Sequence, residues 1–240
     1  MGDSSCVGGE DAEAPPGAAD RLISAAGHSF SVRELHDGPV GVMLFPAAQQ
    51  LLDNLAGIRD WDGVRVVELG AGTGALAIGL AKLGATVYAT DFDAAALENL
   101  RFNVDRNGVG HRVRVLRWDW AERPPPQLQL DGVQYCVGSE VAYAGNAELL
   151  CGAIARLRAS IPEVEVHLML RERGGRTVHS LVECCRGAGL EVHLEPLPCP
   201  GRPEDYALLC EDPEEWGDSP AFLPGAVSLL RLQAPAAAAP

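Results

Sequence analysis

The sequence predicts a single doubly wound α/β domain: a mostly parallel, seven-stranded sheet with helices on both faces and a C-terminal antiparallel strand. Two patterns predict it. Short β-branched runs alternate with longer segments whose apolar residues recur at helical spacing, as in a parallel sheet laid down through crossover helices. A glycine cluster also stands where the first strand run passes into the following helix, where such sheets open their crevice. With 240 residues, 47% hydrophobic and 22% charged, the chain can bury one substantial core, and its length does not demand a second domain.

Residues 1–20 are rich in Gly, Ala, Pro, Asp and Glu, with Val7 as the one bulky aliphatic before Leu22. That composition cannot offset its ordering entropy, so an acidic disordered tail is expected. The Ala/Pro run 234–240 has the same problem, which leaves 21–233 as the folded domain. Pro46 precedes Ala47, Ala48, Leu51, Leu52 and Leu55 at helical spacing, and Gly57 stands where the helix would stop. Val64, Val66, Val67 and Leu69 form the first strand run, and Leu76, Leu80 and Leu83 continue as a helix beyond the glycines. The run 85–90 repeats the strand pattern and leads to Asp91; Asp93 then stands ready to cap a helix carrying Leu97, Leu100 and Val104. Further strands are expected at 113–118, 133–138 and 164–170, with helices around 147–159 and 177–188. A last strand begins at 190–194, and its antiparallel partner is either 206–210 or, by preference, 227–232.

The formal net charge of −14 argues against a protein that grips nucleic acid through its phosphates and suits a basic protein partner. The seven cysteines (Cys6, Cys136, Cys151, Cys184, Cys185, Cys199 and Cys210) are odd in number and form no C-x-x-C pair. They read as reduced thiols of a protein working in the cytoplasm or nucleus. The six histidines stand singly, so no metal-ligand set is expected. Neither a signal peptide nor an apolar run long enough to span a bilayer is present, so no membrane association is expected, and a monomer is the expected state.

The chemistry concentrates in Glu68-Leu69-Gly70-Ala71-Gly72-Thr73-Gly74-Ala75. Glycines at this turn let a cofactor approach the backbone and permit dihedrals closed to other residues. By itself the pattern also fits a dinucleotide fingerprint. Asp91, at the end of the second strand, is placed to accept hydrogen bonds from both hydroxyls of a ribose, which suits either nucleoside cofactor. Glu68 separates the two: a carboxylate facing the crevice attracts the cationic methionine end of S-adenosylmethionine and repels a pyrophosphate. Trp118, Asp119 and Trp120 cluster at the expected adenine position, one tryptophan for stacking and the other for the core.

These residues resemble the seven-strand protein methyltransferases grouped as methyltransferase family 16, over about residues 38–233. The resemblance rests on Gly41-Val42-Met43-Leu44-Phe45-Pro46-Ala47-Ala48, on the glycine turn, on Asp91, on Trp118 to Trp120, and on Gly138-Ser139-Glu140-Val141-Ala142-Tyr143. It departs from the family at Phe45, where Trp is usual, and at Glu140, where Asp is usual. The resemblance implies a Rossmann-like methyltransferase fold, S-adenosylmethionine as cofactor, and a protein lysine as acceptor. It places Phe45, Ala71 and Ser139 beside the cofactor together with Glu68, Gly70, Gly72, Gly74, Asp91, Trp118, Asp119 and Trp120. Glu140 and Tyr143 then become the catalytic pair that orients the acceptor amine. Three rivals remain: a methyltransferase for small molecules, an NAD-dependent oxidoreductase, and a cofactor-binding module without catalysis. The Asn-Pro-Pro-Tyr mark of base methylation is absent from this place in the sequence.

Overall fold

A computed structural model describes residues 17–36, 44, 46–143, 145–172, 177–197 and 227–232. It opens on a feature the sequence analysis did not anticipate, an antiparallel hairpin of β1 (Ala18–Ala25) and β2 (His28–Leu35). Its first three residues lie within the segment 1–20. The connecting residues Ala26 and Gly27 both have positive φ, 53° and 75°, the turn geometry whose twist matches that of paired strands. The signal was faint, because few inward-facing apolar residues mark each strand: Ile23 and Ala25 on one, Phe30 and Val32 on the other.

From α1 (Pro46–Ala56) onward the expected alternation appears: β3 (Arg65–Glu68), α2 (Ala75–Lys82), β4 (Thr86–Asp91), α3 (Ala94–Arg106), β5 (Val113–Arg117), a short α4 (Pro126–Leu130) and β6 (Tyr135–Ser139). There follow α5 (Ala147–Ser160), β7 (Glu165–Arg171), α6 (Thr177–Gly187), β8 (Val192–Leu197) and β9 (Val227–Leu232). Among the described residues the seven-stranded sheet runs β5-β4-β3-β6-β7-β9-β8. Neighbours from β5 to β7 are parallel, and β9 runs antiparallel to both β7 and β8. The segment 227–232 therefore fills the antiparallel position, while 206–210 lies outside the described residues.

Strand residues alternate between two cores, as a period of two requires. Val66, Val87, Ala89, Val137 and Met169 face the helices α1 to α3 and the hairpin. Val67, Tyr88, Cys136, Leu168 and Leu170 face α5 and α6. The chain leaves β3 toward β4 on one side and returns to β6 on the other, so the sheet's switch point lies between the carboxyl ends of β3 and β6. Among the described residues no helix is long and apolar enough to cross a membrane.

Candidate functional site

The turn from β3 into α2 lies at this switch point. Gly70, Gly72 and Gly74 have φ of 59°, 54° and 83°, a region costly for side-chain-bearing residues. Space is equally restrictive. A Cβ on Gly70 would sit 3.0 Å from Val141 Cγ1 and 3.6 Å from Trp120 Cζ2, and one on Gly74 would overlap Leu100 Cδ1 at 2.2 Å. The turn is tied to its surroundings by backbone donors: Ala71 N–H to the Thr90 carbonyl at 2.8 Å, and Gly74 N–H to the Ala71 carbonyl at 2.8 Å. Gly72 N–H donates to Asp91 Oδ2 at 3.1 Å.

Two carboxylates flank the turn. Glu68, at the end of β3, is 2% exposed, and its Oε2 is buried without a hydrogen-bond partner. Burial pushes its carboxyl well above the usual range; the Ala77 N–H at the start of α2 opposes that rise and the nearby Asp91 charge adds to it. Asp91 is also raised by burial, against donors from Asp93, Gly72 and Phe92. Its Oδ1 accepts the Asp93 N–H at 3.1 Å, and Asp93 caps α3 by accepting the Ala96 N–H at 2.8 Å, the division of labour expected from the sequence. A backbone cradle closed to side chains, beside a dry carboxylate oxygen that lacks a donor, fits a nucleoside cofactor with a cationic end.

Beyond β5 the two tryptophans separate. Trp118 is 1% exposed and belongs to the core against α5 and α6, whereas Trp120 is half-buried with its ring edge over Gly70. Asp119 accepts the Ala121 N–H at 2.9 Å and lies 3.8 Å from Arg117. Phe92, which sequence reasoning passed over, is 59% exposed between Asp91 and Asp93. The available signal was an aromatic residue set between two aspartates directly after the second strand run.

On the other side of the crevice, Ser139 ends β6 beside Met169 of β7. Glu140 follows with φ of 56° and its N–H on the Met169 carbonyl at 2.9 Å. Its carboxylate does not stand open to an acceptor amine, as the sequence analysis expected. The side chain is 1% exposed and pairs with Arg171 Nε at 3.2 Å, because a carboxylate turned into the protein requires a counter-charge and β7 carries one two residues past the register partner. Tyr143 is 48% exposed. Asn146 holds the loop before it, accepting the Tyr143 N–H at 2.9 Å and donating to the Val141 carbonyl at 2.8 Å. Phe45 lies outside the described residues; its neighbour Leu44 donates its N–H to the buried Glu34 carboxylate of β2.

The structure thus brings Glu68, Gly70, Ala71, Gly72, Gly74, Asp91, Trp120 and Val141 together around the turn from β3 into α2. A model of the lysine methyltransferase family matches residues 29–180 of this chain. A release factor glutamine methyltransferase from Gloeobacter violaceus is 34% identical over 137 residues, which are 56% of this chain and 43% of that protein. The protein-lysine N-methyltransferase EFM3 of Chaetomium thermophilum is 29% identical over 160 residues, 62% of this chain and 47% of that protein. The matches span between 18% and 51% of the length of these and other curated relatives. A SAM-dependent methyltransferase from Aquifex aeolicus superposes with a TM-score of 0.54 at 15% identity, over 83% of this chain and 95% of that one, a likeness of fold.

Proposed function

Because this chain belongs to the lysine methyltransferase family, we propose that it transfers a methyl group from S-adenosylmethionine to a protein side chain, a lysine ε-amine. The observation that carries this reading is the buried Glu68 carboxylate, whose Oε2 faces no donor. A cationic group placed there satisfies that oxygen, whereas a dinucleotide's pyrophosphate would bring further negative charge into a dry site. Asp91 supports the same reading, since a carboxylate oriented by the backbone donors of Gly72, Phe92 and Asp93 keeps a lone pair for a ribose hydroxyl. Trp120, whose ring edge lies against Gly70, and Phe92, exposed next to Asp91 in the chain, offer apolar faces for an adenine.

The cofactor supplies a methyl group on a positively charged sulfur. The chain's own task is to hold the acceptor in line and keep water out. Among the described residues of the loop after β6, Tyr143 is an exposed side chain and contacts the acceptor, while Val141 and Ala142 are buried and apolar. A lysine near its ordinary pKa of about 10.4 must lose its proton before attack, and apolar surroundings favour that neutral form. Glu140 enters as a positioning residue, its pairing with Arg171 fixing the loop that presents Tyr143. The exposed Glu148 and the partly exposed Asp93 near the carboxyl ends of the strands suit a basic segment on the partner.

Calorimetric titration tests the cofactor. S-adenosylmethionine and S-adenosylhomocysteine should bind and NAD should not. Asp91→Ala should weaken both by about tenfold or more, as losing hydrogen bonds to a charged acceptor implies. Binding of NAD alone, or of nothing, overturns the reading. Radiolabelled methyl transfer into cell proteins, followed by mapping of the labelled residue, tests the acceptor; label on glutamine or on a small molecule removes the lysine assignment.

A further inference from the structure

Helix α3 carries Asn99 and Asn103, and Asn107 is its C-cap; the three are four residues apart and therefore stacked on one face. All three reach the backbone of β2. Asn99 donates to the Arg33 carbonyl at 3.0 Å and accepts from Arg33 Nε at 2.8 Å. Asn107 donates to the Ser31 carbonyl at 2.9 Å. Asn103, which is 0% exposed, does more. Its Oδ1 accepts the Arg33 N–H at 2.8 Å, and its Nδ2 donates to the Arg33 carbonyl at 3.1 Å and to the Thr73 carbonyl at 2.9 Å. The two amide hydrogens thus have one partner each, as burial of such a group requires.

Thr73 lies between Gly72 and Gly74, where the absence of side chains leaves the backbone most free to rotate. The peptide unit joining Thr73 to Gly74 is held at both ends. Its N–H bonds to the Ala71 carbonyl, and its carbonyl is held by Asn103. Leu100, one helical turn earlier on α3, fills the space above Gly74.

We propose that Asn103 is a positioning residue for the glycine turn, locking the Thr73 peptide in the conformation that cofactor affinity requires. Asn99 and Asn107 stitch the same hairpin to the same helix without touching the turn. This inference rests on the S-adenosylmethionine reading for its effect on affinity, but the locking of the peptide stands apart from it.

The test compares Asn103→Asp and Asn103→Ala with Asn99→Ala and Asn107→Ala in the full chain. Three measurements are made on each: melting temperature, S-adenosylhomocysteine affinity by calorimetry, and hydrogen exchange of peptides covering residues 69–77. Asn103→Asp keeps the shape and the acceptor for Arg33 but removes both donated bonds, and Asn103→Ala covers the case in which a buried charge prevents folding. The Asn103 variants should bind about tenfold more weakly and exchange faster across the turn. Asn99→Ala and Asn107→Ala should lower the melting temperature while leaving affinity and turn exchange as in the parent chain. Equal losses of affinity in all variants, or unaltered turn exchange in the Asn103 variants, overturn the proposal. If the parent chain binds no S-adenosylhomocysteine, the cofactor reading falls, and the exchange comparison alone decides whether Asn103 locks the turn.

Discussion

At the scale of single residues, Glu68 couples stability to binding. In the free protein its carboxyl is held above the ordinary glutamate value of 4.5 by burial, so near that value the folded state binds a proton that the unfolded chain releases. Ionising Glu68 in the folded protein is therefore unfavourable, and stability contributed by the protonated form is lost as pH rises from 4.5 through the raised value. A cation brought against Oε2 reverses the preference and drives the proton off. S-adenosylmethionine binding should release a proton within that pH window, and affinity should increase with pH across it. Titrations in buffers of different ionisation heat measure the release directly, and a heat independent of buffer would contradict it. Glu68→Gln should abolish the release and weaken binding. It should also raise the melting temperature of the free protein at pH above the raised value, where a neutral isostere removes a buried charge. The position of this residue at the end of the first strand, before the glycines, was legible in the sequence, whereas its near-complete burial was not. The fate of Glu140 was not, because its partner Arg171 is 31 residues away and sequence spacing within the loop gives no hint of it.

Secondary elements show where close packing overrides local preference. Gly79 lies inside α2, where alanine would ordinarily improve helix formation by about 1 kcal/mol. A Cβ there would stand 2.2, 3.0 and 3.1 Å from Leu52 Cδ2, Cδ1 and Cγ, and Leu52 of α1 is itself 1% exposed. The whole isobutyl group would have to move within a filled core, which costs about 1–3 kcal/mol. Packing wins: Gly79→Ala should lower the melting temperature by a few degrees, measured by calorimetry or circular dichroism, and a rise would show that α1 can shift away. The elements themselves were largely legible because α1, α3, α5 and α6 each bury a stripe at helical spacing and β3, β4, β6 and β7 put apolar residues on both faces. The hairpin and α4 escaped for different reasons. The hairpin's strands are apolar on one side alone and carry the 74% exposed Leu22 on the other, which blurs a period of two. The five-residue α4 is too short to display any helical period. Asn103 belongs with these omissions, since an asparagine inside a helix looks like a surface residue until its backbone partners are brought to it.

For the molecule as a whole, charge is the property that bears on partner choice. Acidic side chains outnumber basic ones by 33 to 19, and a field of that sign draws in basic surfaces and repels acidic ones while leaving neutral small molecules indifferent. Screening shortens its reach to about 10 Å at 0.1 M salt. If the acceptor is a lysine within a basic segment, encounter depends on the field but the enclosed transfer step does not. The KM for a protein acceptor should then climb by about threefold or more between about 0.05 and 0.3 M salt, with kcat nearly constant. Initial rates at several salt concentrations, with saturating S-adenosylmethionine, separate the two constants. A KM insensitive to salt would favour a neutral small-molecule acceptor held by the crevice alone. A kcat that falls with KM would place the charge dependence inside the crevice, at Glu68 and Asp91, rather than on the surface around it.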